Sequence, residues 1–191
     1  MTRRTLFQTA ALLFTLAACA LPGTAPRQVT VLDGQIQVRA PQFYCVDQQS
    51  ARSGTDTAVV LIGRCNADGQ VAAALVTVTV GRSASAGVML ASAEALRAFM
   101  SSAAGRRALA RSGRSQDVEI VSSGVVEGRL MLHLKDREAG EYWRAILGVN
   151  GRLISISASG AVGLPLTPDE GRKLVEQTVE AMRAANPATA P

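Results

Sequence analysis

The sequence predicts a single α+β domain: an antiparallel β-sheet covered by helices on both faces, an α/β/α sandwich. Three observations carry this. Consecutive apolar-alternating segments are joined by turns as tight as Asn150-Gly151, which argues for antiparallel neighbours. The segment 57–65 is apolar on both faces, Ala58, Val60 and Ile62 against Val59 and Leu61, as a strand covered on both sides requires. Two helical stretches, at 92–112 and 168–185, lie far apart in the chain and can supply that cover from opposite sides.

The elements follow in order. Residues 29–38 alternate around Asp33-Gly34 and predict a hairpin with a tight turn, ended by Ala40-Pro41. Phe43 to Asp47 leads into a short helix expected at 48–53. The covered strand 57–65 is followed by a loop at Asn66-Ala67-Asp68-Gly69. Residues 74–80 set Ala74, Val76 and Val78 against Leu75, Thr77 and Thr79, a half-buried strand. Ser92 is positioned as the N-cap of a helix carrying Ala95, Leu96, Phe99 and Met100 on one face. Gly105 is expected to break it, and a second short helix over 106–112 to end at Gly113.

A hairpin is predicted from 118–126, Glu127-Gly128 and 129–135, with Leu130, Leu132 and Leu134 on one face and Arg129, Met131, His133 and Lys135 on the other. After a charged turn at 136–141, residues 142–149, Asn150-Gly151 and 152–159 form the most strongly marked hairpin, because Asn-Gly adopts the positive φ angles of a type I′ turn. Trp143, Ala145, Leu147 and Val149 share a face. Thr167-Pro168-Asp169-Glu170 then combines an N-cap, Pro at N1 and a capping-box Glu before the stripe Leu174, Val175, Thr178, Val179 and Met182. Asn186-Pro187 stops that helix.

The first residues carry an address. Arg3-Arg4 precede an apolar run that ends in small residues, Leu16-Ala17-Ala18-Cys19. The run is too short to span a bilayer, which takes about 20 apolar residues, and has the make-up of a secretory signal. The four residues Leu16 to Cys19 resemble the lipobox of bacterial lipoproteins. The resemblance implies removal of residues 1–18, lipidation of Cys19, a tether over 19–27, the domain over 28–186 and a loose tail at 187–191. Multiple acyl chains would anchor the protein stably in a membrane. Ala20 resembles an outer-membrane sorting residue, placing the domain on the periplasmic side. The alternative is an ordinary secreted protein cleaved within 20–25.

Cleavage before Cys19 removes two of 20 basic residues and none of 15 acidic ones, leaving a net charge of about +3. That is too weak for a nucleic-acid footprint, and at 4% aromatic the chain offers no stacking platform. The even pair Cys45 and Cys65 reads as a disulfide in an oxidising compartment, with a metal or redox pair as the alternative.

The element order resembles the Mog1/PsbP-like sandwich domains. It does so through residues 34–41, the strand Arg152-Leu153-Ile154-Ser155-Ile156-Ser157 and the closing helix from Thr167. The resemblance implies an α/β/α sandwich that binds partners and does not catalyse. No ligand residue of that family maps onto this chain, and the cysteine pair departs from its general pattern.

Catalytic patterns are absent. His133 is the sole histidine, so a two-histidine metal site cannot form, and no GxSxG, SxxK, P-loop or GxGxxG occurs. Ser155, Ser157 and Ser159 read as the polar face of a strand. Asp136, Glu138 and Glu141 read as a solvated turn. Arg107, Arg111 and Arg114, with Arg97 nearby, would form a basic face if the helix reached that far, suited to an anionic surface or acidic partner. The functional expectation is a non-catalytic, membrane-tethered binding or assembly module for an unidentified envelope protein, with no cofactor, metal or nucleic acid. The alternatives are a small-ligand carrier with an apolar pocket between sheet and helices, and a hydrolase of unrecognised type built on His133.

Overall fold

The computed structural model describes residues 25–66, 71–161 and 163–187. The signal segment, Cys19 and most of the tether, residues 67–69 of the predicted loop and the last four residues of the tail lie outside them. Among the described residues nine strands and three α-helices form: β1 Gln28–Val31, β2 Ile36–Arg39, β3 Tyr44–Ser53, β4 Ala58–Arg64, β5 Ala74–Val80, α1 Gly87–Ser101, α2 Ala103–Leu109, β6 Val118–Val126, β7 Arg129–Asp136, β8 Gly140–Val149, β9 Arg152–Gly160 and α3 Pro168–Ala185. The strands β3 to β9 make one antiparallel sheet in the order β3-β4-β5-β9-β8-β7-β6; β1 and β2 form a separate hairpin. Between β5 and β6 the chain crosses one face of the sheet as α1 and α2, and the meander β6 to β9 returns to pair with β5.

The two faces are closed to different extents. On the first, α3 and the β1–β2 hairpin bury inward residues of strands from β3 to β9, among them Val46, Val60, Val76, Val78, Ile154, Ile156, Ala145, Leu147 and Met131. Leu174, Val175, Val179 and Met182 are the helix's contribution. The predicted capping box is present, with Thr167 Oγ1 accepting from Glu170 N–H and the Glu170 carboxylate accepting from Thr167 N–H at 2.9 Å. At the other end Asn186 exchanges hydrogen bonds with the Gln37 backbone, tying α3 to β2. On the second face, α1 and α2 cover the β6–β7–β8 end alone, over Leu130, Leu132, Leu134, Tyr142 and Ile146.

That one-sided cover corrects the expectation for β4. It lies second from an edge, not at the centre, and Val59 and Leu61 are half-buried with no helix above them. Residues 48–53 continue β3 instead of turning helical: Arg52 and Ser53 pair with Val59 and Ala58 after a register shift, so the ladder with β4 overrides local helix propensity. The first hairpin turns over four residues, Leu32 to Gln35, since Val31 faces Ile36 across the ladder. Leu32, Asp33 and Gly34 all have positive φ, and Leu32 is buried in the first core, which offsets the backbone strain.

Ser92 does cap a helix, but from inside α1. Its backbone is extended, and its Oγ accepts from Ala95 N–H at 3.0 Å. Leu96 and Met100 face the second core. Phe99, three residues on from Leu96 and so rotated about 60° from it, is 48% exposed. The break between α1 and α2 falls at Ser102, whose Oγ accepts from Gly105 N–H. Gly105 serves close packing instead: a Cβ there would lie 2.1 Å from the Phe99 carbonyl oxygen. Gly113 has the positive φ expected of a turn residue, but α2 has already ended at Leu109.

Arg152 ties the loops at one end of the sheet together. It is 4% exposed and donates to Gln35 Oε1 at 2.8 Å, the Asp56 and Gly81 carbonyls at 2.9 Å each and Ser83 Oγ at 2.8 Å, and pairs with the Asp56 carboxylate at 2.8 Å. Three separate loops thereby converge on the first residue of β9.

Candidate functional site

Part of the second sheet face, over β4, β5 and β9, has no helix above it among the described residues. Its rows follow from the pairing registers. Ile146, Ser155, Thr79 and Val59 form one row across β8, β9, β5 and β4. Arg144, Ser157, Thr77 and Leu61 form the next. On β9 and β5, Ser159 faces Leu75 in the third. Period-two alternation puts these residues on one face while Ala74, Val76, Val78, Ile154, Ile156 and Ala158 go into the first core. Hydroxyls thus occupy the middle of the sheet, apolar side chains flank them on β4 and β5, and the end of α2 forms a wall on the β8 side.

A groove of about 540 Å³ lies there, bounded by Leu75, Thr77 and Thr79, by Ser155, Ser157 and Ser159, by Tyr142 and Arg144, and by the stretch from Ala108 to Arg111. This is within the size range of ligand sites. Its lining contains two arginines and no carboxylate. Arg144 makes no ion pair among the described residues, and its Nε is shielded from solvent without a hydrogen-bond partner. Its guanidinium carbon lies 5.4 Å from the centre of the Tyr142 ring. Burial pushes the Tyr142 phenol above its ordinary pKa, partly offset by Arg144, so the ring is neutral at physiological pH. Its hydroxyl donates to the Leu109 carbonyl at 3.4 Å, joining β8 to the end of α2.

Arg111 reaches the same rim from the turn after α2. Its backbone N–H donates to the Asp136 carboxylate at 3.0 Å, which fixes the turn and leaves the side chain exposed. Burial acts to raise the Asp136 pKa, but the Ala139, Arg111 and Glu138 N–H groups outweigh it and hold the carboxyl below the usual range.

The four arginines singled out in the sequence do not form one helical face. The helix ends at Leu109 because Ala110 is extended, so the 107–111–114 spacing is not realised as helix. Arg97 pairs with Glu94 at 2.6 Å on α1. Arg114 pairs at 2.7 Å with Asp117, which is buried and also accepts from Ser112 Oγ at 2.6 Å. That Ser112 bond, then Arg114, lowers the Asp117 pKa against the opposing effect of burial. Arg107 is exposed on α2. Only Arg111 borders the groove.

The Cys45–Cys65 disulfide is present, with Cα atoms 4.9 Å apart, joining the start of β3 to the residue after β4. His133 lies on the other face. It is 8% exposed, stacked on Trp143 with ring centres 4.6 Å apart, and its Nε2 lies 2.7 Å from Glu141 Oε1. The space between this group and the first turn of α3 is about 10 Å³, roughly room for one water. A carboxylate does accompany His133, but no substrate-sized cleft adjoins the pair. Among the described residues no group of three His, Cys, Asp or Glu side chains is arranged to hold a metal, and no helix is long and apolar enough to cross a membrane.

A second groove of about 610 Å³ runs along the edge strand β6, from Ser101 and Arg106 to Ser122 and Ser123. It carries Glu119 opposite Arg106 and so has no charge preference. The β6 ladder is also irregular between Ile120 and Ser122, which blunts an edge for strand addition.

Sequence alone did not single out Arg144, and it gave the three serines as the polar face of a strand with a structural role. The signal was their position: hydroxyls at the three successive outward sites 155, 157 and 159 of β9, beside Thr77 and Thr79 of β5, put a polar stripe at the centre of a sheet, where helix cover would demand apolar residues.

No protein-family model matches the chain, and no curated protein does. A solved structure of a Mog1 point mutant matches over 83% of this chain and 93% of that one, at 12% identity and a TM-score of 0.43. This is a distant likeness of fold to Mog1.

Proposed function

We propose that the protein is a non-catalytic recognition module, lipid-anchored through Cys19 on the periplasmic side of a bacterial outer membrane, that engages its partner with the bare half of its sheet. The observation that supports this most is the mismatch between the two faces. The first is closed by α3 and a hairpin from β3 to β9, whereas the second is covered only at β6 to β8. Leu75, 41% exposed, and the half-buried Val59 and Leu61 are left on an open surface beside a row of hydroxyls. A sheet face of that composition is suited to contact, and the signal-like segment ending at Cys19 supports an extracytoplasmic tether.

The test is in-envelope crosslinking of the full chain, with and without Leu75→Glu. Leu75 is exposed enough for the variant to fold, and a melting curve would verify it. Loss of a discrete crosslinked species in Leu75→Glu alone supports the reading. An unchanged crosslinking pattern overturns it. The anchor has its own check: Cys19→Ser should leave the membrane fraction, and a variant that stays membrane-bound rules out lipidation at this site.

A further inference from the structure

We propose that the groove over β5, β9 and β8 is a binding site for a phosphate monoester, held by Arg144 and Arg111 against the serine row of β9. This deepens the recognition reading above and rests on it. The first argument is charge. The groove lining includes two arginines and no carboxylate, although the chain carries 15 acidic residues against 20 basic ones.

The second is an unmet hydrogen-bonding demand. Arg144 makes no ion pair and no hydrogen bond to another protein group among the described residues, so its guanidinium has no protein acceptor to give up for an anion in the groove. The contrast with Arg152, only eight residues on, is direct. There Gln35, Asp56, Gly81 and Ser83 meet the guanidinium on every side. This fold can satisfy a buried arginine with its own acceptors, and at Arg144 it does not.

The third is the number and kind of donors. Ser157 faces Arg144 across the β8–β9 ladder and Thr77 on its other side, with Ser155 and Ser159 two residues away along the strand. None of these four hydroxyls makes a hydrogen bond to another protein group among those described, so all are free to donate. A guanidinium with a cluster of hydroxyls offers more donors than a carboxylate can accept, and suits the three terminal oxygens of a phosphate monoester. The Tyr142 ring supports the guanidinium from one side, which limits its freedom before any ligand arrives. Beyond the hydroxyls, Leu75 gives the groove an apolar side on which the body of an esterified ligand can rest.

The phosphate can come from a free metabolite or from a lipid headgroup, and two soluble probes separate these. The full chain is titrated with inorganic phosphate and with monomeric dibutanoyl phosphatidic acid, following both by 31P NMR; dibutanoyl phosphatidylcholine, which lacks a monoester, is the control. Similar saturation by both phosphate probes supports the site with a water-soluble ligand. Markedly tighter binding of phosphatidic acid supports it with a lipid headgroup, the chains lying over Leu75. In either case Arg144→Gln should weaken binding by about tenfold or more, the scale of one charge-assisted hydrogen bond. Arg107→Gln, away from the groove, should leave it unchanged. If Arg144→Gln melts abnormally, Arg111→Gln, at an exposed side chain, tests the same point.

Failure of both phosphate probes to bind overturns the assignment. So does binding that neither arginine variant weakens, or equal binding of the phosphatidylcholine control. If the probes fail while Leu75→Glu still abolishes the envelope crosslink, the phosphate assignment alone falls. If phosphate binds but Leu75→Glu leaves the crosslink intact, the partner reading falls and the ligand site stands.

Discussion

Replacing Arg144 with methionine should leave the fold as stable as before or make it more stable, and this separates a ligand-binding arginine from a structural one. Methionine retains the length of the aliphatic stem and removes the charge. What is lost is the stacking of the guanidinium on Tyr142 at 5.4 Å, worth about 1 kcal/mol at a partly exposed site. What is gained is relief of the shielded, unpartnered Nε, worth roughly 1–3 kcal/mol. The net expectation is a gain of about 0–2 kcal/mol. For a domain of this size that is a rise in melting temperature of about 0–8 °C. The measurement is thermal and urea unfolding of wild type and Arg144→Met in buffer free of phosphate and other oxyanions, because a bound anion would stabilise the wild type by mass action. A fall of about 2 kcal/mol or more would refute the reasoning, since it would mean that the side chain makes structural bonds that the ligand-site reading denies it.

Three further outcomes follow from the same structure. Arg152→Ala should lose about 3 kcal/mol or more, read as a drop in urea midpoint. It leaves the Gln35, Asp56, Gly81 and Ser83 acceptors without their shared donor at a buried position. Reducing the Cys45–Cys65 bond, or replacing both residues with serine, should cost about 3 kcal/mol, the chain-entropy value for a loop of 20 residues; an unchanged midpoint under reductant would show that the β3–β4 pairing does not need it. Stability should be level from neutral pH down to about pH 5 and fall below about pH 4. Asp56, Asp117, Asp136 and Glu170 all have pKa values lowered by folding, so their contribution is complete above the unfolded carboxyl pKa and lost as pH falls through the folded ones. Asp136→Asn should lower neutral-pH stability and flatten the acid limb of a pH–urea profile; an acid limb as steep as that of the wild type would exclude Asp136 as a main contributor.

Much of the fold was legible from local chemistry, and the failures share a cause. The β8–β9 turn at Asn150-Gly151 and the β6–β7 turn at Glu127-Gly128 have positive φ at both central residues, the requirement that a type I′ turn writes into sequence. The start of α3 was readable because the Thr167–Glu170 capping box is a contact between near neighbours. Residues 48–53 were misread as helix because what makes them strand is a partner, β4, whose pairing no local pattern records. The basic face failed in the same way: Arg107, Arg111 and Arg114 have helical spacing, but Ala110 leaves the helix, the Arg111 backbone N–H turns to the Asp136 carboxylate of β7, and the Arg114 side chain turns to Asp117. The candidate site was the least legible. Arg144 looks like any outward strand residue until β9 is known to pair with β5, which brings Thr77 and Thr79 alongside the serines next to it.

The distribution of polar residues on β9 argues that the bare face is maintained and not merely left over. A central strand in a sheet of seven has two faces available for burial, and beyond Arg152 its first face is apolar, with Ile154, Ile156 and Ala158 each at 0% exposure. Apolar residues at 155, 157 and 159 would strengthen the strand and could draw α2 across it, at about 25 cal/mol for each Å² removed from water. The chain has serine at all three, and across from them Thr77 and Thr79. On β4, the next strand out, Val59 and Leu61 are apolar again. The hydroxyls therefore do not mark a sheet grading into solvent toward its edge; they form a stripe with apolar residues on both sides, beside Arg144, which makes no ion pair among the described residues. Stability is drawn almost entirely from the first face and from the β6–β8 end of the second. Substitutions along the serine stripe should for that reason change binding far more than melting temperature, the reverse of what substitutions at Ile154 or Ile156 should do.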